Sequence, residues 1–176
     1  MSTITPIFRE QVERGLGCVV ILAGSGSDDP QIKKVADALL KYGVPYEVRI
    51  ASAHKQGDRL REIVAEYDSL NGPLAYIAVA GGTDALSGTS SFISYRPTIS
   101  CPPDAPNMSC LTNPPGSSNL YITRPENAAR AVAQIFSYAN PAYRAALTTE
   151  IEKKRGSLVE DDTTMQIKYA SQGKPQ

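Results

Sequence analysis

Between Cys18 and Tyr95 the chain repeats one cycle three times: a run of apolar or β-prone residues, a loop of small residues, then a helical period. Cys18-Val19-Val20-Ile21-Leu22 is continuously apolar, as a strand covered on both faces must be. It runs into Ala23-Gly24-Ser25-Gly26-Ser27-Asp28-Asp29 and then Pro30. Asp followed by Pro suits a helix start, because Pro lacks the N–H that a first turn leaves unpaired. Ile32, Val35, Ala36, Leu39 and Leu40 then recur at helical spacing, and Gly43 fits the stop. In the second cycle Val44 to Ile50 reads as strand, 51–57 as loop and Asp58 as cap, with Leu60, Ile63, Val64 and Tyr67 on one helical face. The third runs from Leu74 to Ala80, through Gly81-Gly82-Thr83-Asp84, into a helical segment ending near Tyr95.

Two shorter strands come next, Pro97 to Cys101 and Asn119 to Thr123, separated by a proline-rich loop over 102–118 with a helical turn near Met108. Pro125 to Ala139 is a helix of small residues. Strands alternating with helices demand a parallel sheet covered on both faces, and right-handed crossovers make it a three-layer α/β/α sandwich. The expected fold class is therefore α/β, a flavodoxin-like parallel sheet of about five strands. The expected divisions are an arm or short helix over 1–17, one domain over 18–140, and a C-terminal helix and polar tail over 141–176. The extra helix, Pro141 to Arg155, either covers its own domain or reaches a second subunit. The last ten or so residues are expected to be mobile.

Composition narrows the function. A chain of 176 residues suffices for one domain with a real core. Lys plus Arg and Asp plus Glu balance at 18 each, so no global field attracts nucleic acid or an anionic membrane. No apolar run approaches the ~20 residues that span a bilayer. The first 17 residues, with Arg9, Glu10, Glu13 and Arg14, do not read as a signal peptide. Cys18, Cys101 and Cys110 lack CxxC spacing, and with a single histidine they argue against a zinc site. A reducing, cytoplasmic setting with core cysteines is expected.

Parallel strands put the three loops on one edge, where such sheets bind ligands near a topological switch point. Gly24-Ser25-Gly26-Ser27-Asp28, at a helix N-terminus, suits a phosphate or is a tight turn with an Asp cap. It is neither a dinucleotide fingerprint nor a P-loop, since the third glycine and the lysine are missing. Asp28 or Asp29 suits ribose hydroxyls or capping. His54 is the only histidine, a side chain whose unperturbed pKa lies near neutrality; it is a candidate acid/base or a plain surface residue. Lys55 beside it is a candidate partner for a phosphate or carboxylate, or a solvated lysine. Gly81-Gly82 permits close backbone approach or makes a turn, and Asp84 caps the next helix or faces the site.

Taken together, Gly24 to Asp28, Ser52-Ala53-His54-Lys55, Ala80-Gly81-Gly82 through Ala85-Leu86-Ser87-Gly88, and Ser100-Cys101-Pro102-Pro103 resemble the aminoimidazole ribonucleotide (AIR) carboxylase family of purine synthesis. Asn127-Ala128-Ala129 and Gln134-Ile135-Phe136 resemble that family's last core helix. The resemblance implies a ring carboxylation without biotin, ATP or metal, hence no cofactor, with AIR and CO2 as small-molecule partners and sites at subunit contacts of a homo-octamer. It implies His54 as the catalytic proton-transfer residue, aided by Lys55. Ser25 and Ser27 would bind the phosphate with Lys55 helping, Asp28 the ribose hydroxyls, and Gly24 would belong to the same substrate site, while Ser52, Ala53 and the backbone of Gly81, Gly82, Thr83 and Asp84 would wall the base and CO2. Family mutases carry Ser-Ala-His-Arg and a second histidine; the direct, CO2-using carboxylases carry Ser-Ala-His-Lys and Cys-Pro-Pro. Lys55, Ala85 and Cys101-Pro102-Pro103 resemble the direct branch. The mutase is the alternative within the family, and a non-catalytic ribonucleotide-binding or assembly protein the alternative outside catalysis. A flavodoxin- or receiver-like signalling domain would explain the topology but not His54-Lys55.

Two segments depart from the direct carboxylases. Their Ala-Gly-Arg-Ser-Asn loop is here Ala80-Gly81-Gly82-Thr83-Asp84, and a Ser-Ser-Leu-Arg-Met-Pro-type segment is here Ser109-Cys110-Leu111-Thr112-Asn113-Pro114. Each loses an arginine, and Asp84 puts a carboxylate where it would repel a carboxylated product. Attraction between close charges near a surface is of order ~4 kcal/mol, so weaker anion binding is expected unless Arg96 or Arg124 compensates.

Overall fold

The computed structural model describes residues 3–170. Its elements in chain order are α1 (Pro6–Glu13), β1 (Cys18–Ala23), α2 (Asp29–Lys41), β2 (Tyr46–Ile50), α3 (Gly57–Asp68), β3 (Leu74–Val79), α4 (Leu86–Ile93), β4 (Thr98–Ser100), β5 (Leu120–Tyr121), α5 (Pro125–Phe136) and α6 (Pro141–Ala170). The strands form one parallel sheet in the order β2-β1-β3-β4-β5. Chain order reverses direction between β1 and β3, which makes that gap the switch point.

The continuous apolar runs of β1 and β3 are explained by two cores, one on each face of the sheet. Val19, Ile21 and Ala23 join Ala75, Ile77 and Val79 beneath α2, α5 and the start of α6. Their alternates Cys18, Val20, Leu22, Leu74, Tyr76 and Ala78 face α1, α3 and α4. The alternation arises from the strand period of two. Full burial of each Val, Leu or Ile side chain stabilises by about 1.5–3 kcal/mol. No helix is long and apolar enough to cross a membrane, among the described residues.

The N-terminal segment resolves into α1. Thr5 caps it by accepting from the Phe8 N–H, and Phe8 packs edge-on against Tyr67 of α3. The C-terminal helix departs further from expectation. It does not stop at Arg155 but continues through the polar stretch to Ala170. Gly156 alone costs only ~1 kcal/mol in a helix, and Lys154–Glu150 and Gln166–Asp162 side-chain pairs one turn apart support the extension. Residues 171–176, part of the expected mobile tail, lie outside the described residues. The start of α6 is anchored to the turn just before β1: Tyr143 donates to the Gly17 carbonyl at 2.8 Å and Asn140 to that of Leu16 at 2.8 Å.

Arg96 does not compensate for a missing site cation. It is buried on the α3–β3 side, its Nε donating to Asp68 at 3.1 Å and its other nitrogens to the carbonyls of Leu70, Gly72 and Asp68. Tyr76 and Ser94 donate to the same Asp68 carboxylate oxygen. Removing one partner of such a buried pair strands the other. Arg96→Met is expected to lower stability by about 3–5 kcal/mol, read as a fall in the urea midpoint at unchanged slope.

A second polar cluster joins α6 to the body. The Glu150 carboxylate accepts from Tyr42 at 2.6 Å and Arg130 at 3.2 Å, and pairs with Lys154 at 2.9 Å. The Tyr42 hydrogen bond leads the other contacts in holding the Glu150 pKa below the ordinary carboxylate value. A depressed acid contributes stability that is full above its unfolded pKa and drains away as pH falls through the folded one. Glu150→Gln should therefore be less stable than wild type near neutrality, with the gap in urea midpoint closing as pH drops below the ordinary carboxylate range.

Candidate functional site

Parallel register sets the geometry of the site. Ala23, the last residue of β1, pairs with Ile50 at the end of β2 and Val79 at the end of β3. The three loops beyond these residues therefore leave the sheet at one level. They enclose a cavity of about 370 Å³, lined by Gly24, Ser25, Ser27, Asp28, Ser52, Ala53, His54, Lys55, Ala80, Gly81, Thr83, Ala85 and Leu86.

The first loop is a 3-10 turn over Gly26–Asp28 that feeds directly into α2. Ser25 and Asp28 form a reciprocal cap: the Ser25 hydroxyl accepts from the Ser27 N–H, and the Asp28 carboxylate accepts from the Ser25 N–H at 3.0 Å. Ser27 Oγ donates to Ser25 Oγ at 3.0 Å, bringing both hydroxyls to one wall. Burial, partly offset by backbone N–H donors at Ser25 and Gly24, raises the Asp28 pKa, and the charge of Asp104 adds to the rise.

The second loop turns tightly because the Gln56 N–H bonds the Ser52 carbonyl at 2.7 Å and the Lys55 N–H bonds Ser52 Oγ at 3.3 Å. This turn lifts His54 and Lys55 onto the rim, both exposed. Both residues line the cavity. Lys55 is the only cation lining the cavity among the described residues.

The third loop is pinned from outside by the 102–111 segment. The Gly82 N–H donates to Asp104 Oδ2 at 2.6 Å and its carbonyl accepts from Asn107 at 2.8 Å. The Gly82 N–H is the main reason the Asp104 carboxyl titrates below its ordinary range. Gly82 has φ of +68°, a conformation that favours glycine. A Cβ on Gly81 would meet Pro103 Cγ at 3.3 Å.

Most sequence-predicted residues converge here, but two do not line the cavity. Gly82 points its polar groups at the 102–111 segment. Asp84 is buried, and its carboxylate accepts from the Leu86 N–H at 2.8 Å, the Ser87 N–H at 3.1 Å, Ser87 Oγ at 2.6 Å, Ser100 Oγ at 2.9 Å and Cys110 Sγ at 3.1 Å. The expected product-repelling carboxylate is thus turned into the protein, where it holds the start of α4. Thr112 and Arg124, both exposed, also lie outside the cavity wall. Sequence reading misses Ala80, Ala85 and Leu86 as its apolar wall, although the strand-to-helix passage on either side of Gly81-Gly82 carries that signal. It also misses Asp104, an isolated acid in a proline-rich loop with no periodicity to mark it. No cluster of three or more His, Cys, Asp or Glu side chains suited to a metal occurs among the described residues.

Comparison with known proteins places this geometry. The AIR carboxylase family profile matches residues 18–157. A phosphoribosylaminoimidazole carboxylase of Treponema denticola is 34% identical over 153 residues, covering 84% of this chain and 96% of the relative. One of Archaeoglobus fulgidus is 35% identical over 159 residues, covering 86% and 87%. The crystal structure of Treponema denticola PurE superposes with a TM-score of 0.79 at 34% identity, over 84% of this chain and 98% of the other. With its three-loop cavity at the β1–β3 switch point and sequence likeness running from β1 into α6, this chain belongs to the AIR carboxylase family.

Proposed function

We propose that this chain adds CO2 directly to 5-aminoimidazole ribonucleotide, giving 4-carboxy-5-aminoimidazole ribonucleotide in purine synthesis. The observation that carries the reading is the convergence of Gly24–Asp28, Ser52–Lys55 and Ala80–Thr83 around one cavity at the sheet's switch point. The N-terminus of α2 supplies a positive dipole end for the phosphate, with Ser25 and Ser27 hydroxyls alongside and Lys55 across the opening. Asp28 takes the ribose hydroxyls. Ser52, Ala53, Ala80, Gly81 and Thr83 wall the aminoimidazole ring, with Ala85 and Leu86 as the apolar side that holds CO2 away from water.

The reaction needs little from the protein beyond position and a proton acceptor. The amino group makes the ring carbon electron-rich, so that carbon attacks CO2. A C–C bond forms, one C=O electron pair moves to oxygen, and the product carboxylate appears. The ring carbon must then lose its proton to restore aromaticity. His54 on the rim accepts that proton and releases it to solvent, help typically worth ~10²–10⁴-fold. Lys55 neutralises the anionic charge gathered at the opening. Lys55 and Ala85, where the mutases resemble one another in arginine and a second histidine, favour CO2 chemistry over carboxyl migration.

A homo-octamer in the cytoplasm completes this reading. Three free, buried cysteines support a reducing compartment, and the projecting α6 supports subunit contact.

Purified chain incubated with AIR and bicarbonate, without ATP, should show ring carboxylation, and His54→Asn should lose ~10²–10⁴-fold in kcat. No turnover by wild type would sink the carboxylase reading, and ribonucleotide binding without turnover would favour the non-catalytic one. Faster turnover of carboxyaminoimidazole ribonucleotide than of AIR with CO2 would favour the mutase. Asp84 enters only as an anchor for the third loop. Asn at that position can accept from the Leu86 and Ser87 N–H groups and donate to the Ser87 and Ser100 hydroxyls. Asp84→Asn should therefore leave product affinity unchanged, while Asp84→Ala loses ~1–3 kcal/mol of stability by leaving those donors unmet. Tighter product inhibition in Asp84→Asn would show that the carboxylate does reach the product.

A further inference from the structure

A second cavity, of about 450 Å³, opens beside the first and shares Ala85 with it as a common wall. Its floor is one face of α4, where Ala85, Gly88, Thr89 and Phe92 recur at helical spacing. At 1.5 Å per residue that stripe is about 10 Å long. The loop over 113–117 forms one wall, and Arg61 of α3 completes the lining.

The groove is already formed by the fold. Asn113 donates to Asn119 Oδ1 at 2.6 Å and to the Cys110 carbonyl at 3.4 Å. The Ser118 N–H donates to Ser91 Oγ at 3.1 Å, tying the loop to α4. Gly88 makes room for that loop, since a Cβ there would overlap the Asn113 amide. The Phe92 ring lies along the turn at Gly116, where a Cβ would meet Phe92 Cδ2 at 3.5 Å, yet Phe92 is 67% exposed. Pro114 and Pro115 add two more exposed apolar faces.

The polar groups in this lining are few and uncommitted. Arg61 is its only cation among the described residues. No hydrogen bond or ion pair among those residues engages the Arg61 guanidinium, whereas Arg59 pairs with Glu62 at 2.9 Å. The Thr89 and Ser117 hydroxyls are also without a partner among the described residues. The single acid, Asp84, directs its carboxylate to donors inside the fold. A mainly apolar cleft of a few hundred Å³ with a small number of convergent polar groups is the form that small-molecule sites take. The guanidinium selects an anion and suits the paired oxygens of a phosphate. The exposed aromatic ring and prolines select a planar ring, and the two hydroxyls favour a sugar between ring and anion.

We infer that this groove is a binding site for a nucleoside monophosphate, separate from the catalytic cavity. The base stacks on Phe92 beside the prolines, the ribose meets Thr89 and Ser117, and Arg61 holds the phosphate. The inference rests on the groove alone and does not depend on the catalytic reading.

The chain contains no tryptophan, so Phe92→Trp in the full chain places a single indole in the groove and keeps an aromatic face there. Titration with AMP should quench its fluorescence saturably. Adding Arg61→Gln should raise the AMP concentration for half-quenching about tenfold, the loss expected of one charge-assisted contact. Adenosine, lacking the phosphate, should need a similarly raised concentration, and inorganic phosphate equimolar with AMP should not displace the nucleotide. Lys55→Gln, which alters only the neighbouring cavity, should leave the curve where it was. Arg61 and Phe92 are both exposed, and circular dichroism of each variant checks that the fold is kept. Absence of saturable quenching, equal quenching by AMP and adenosine, or a curve moved by Lys55→Gln and not by Arg61→Gln would each overturn the proposal.

Discussion

The level ending of β1, β2 and β3 is the constraint on which the site depends. Backbone hydrogen bonds place Ala23 beside both Ile50 and Val79, so the chain emerges from all three strands at the same height. Only small residues come immediately after: Gly24, Ala51-Ser52-Ala53, and Ala80-Gly81. Larger side chains there would fill the space a ligand needs. The next residue types then differ by loop, with hydroxyls and a carboxylate before α2, an imidazole and an ammonium before α3, and apolar residues entering α4. One sheet edge thereby separates a hydroxyl-rich, an imidazole–ammonium and an apolar region of the cavity lining.

That layout is readable in sequence because it rests on local signals. Continuous apolar runs mark fully covered strands, helical periods mark the segments that cover them, and a parallel sheet fixes which loops share an edge. The direction of side chains in the third loop is not readable. Asp84 and Gly82 stand in the chain next to cavity residues, yet most of their tertiary partners, Asp104, Asn107, Ser109 and Cys110, come from a segment with no period. Arg96 misleads for the same reason. Its partners are the Asp68 carboxylate and three carbonyls at the end of α3 and the turn beyond it, a tertiary arrangement that spacing does not encode. The length of α6 is obscured because polarity resembles lack of structure, although charged residues of good helix propensity sustain a helix as readily as apolar ones.

The two departures from the direct carboxylases gain a joint explanation. In this chain the third loop and the 102–111 segment are tied by Gly82 to Asp104 and Asn107, and by Asp84 to Ser109 and Cys110. An arginine at position 82 would carry a side chain in a left-handed conformation that strains any residue but glycine, so its loss belongs with the backbone shape seen here. The same turn aims the Gly82 N–H at Asp104. Asp104 in turn lies near enough to Asp28 to raise its pKa. The loop thus exchanges a cation for an acid held at the cavity's edge. With Lys55 the only cation in the lining among the described residues, the proposed phosphate site would lean on the dipole of the α2 N-terminus and on the serine hydroxyls, whose hydrogen bonds are short-ranged and directional. On the proposed reading, discrimination would come from how well a ligand's phosphate seats on Ser25 and Ser27 more than from its total charge. This is a narrower requirement than a site with two additional arginines would impose.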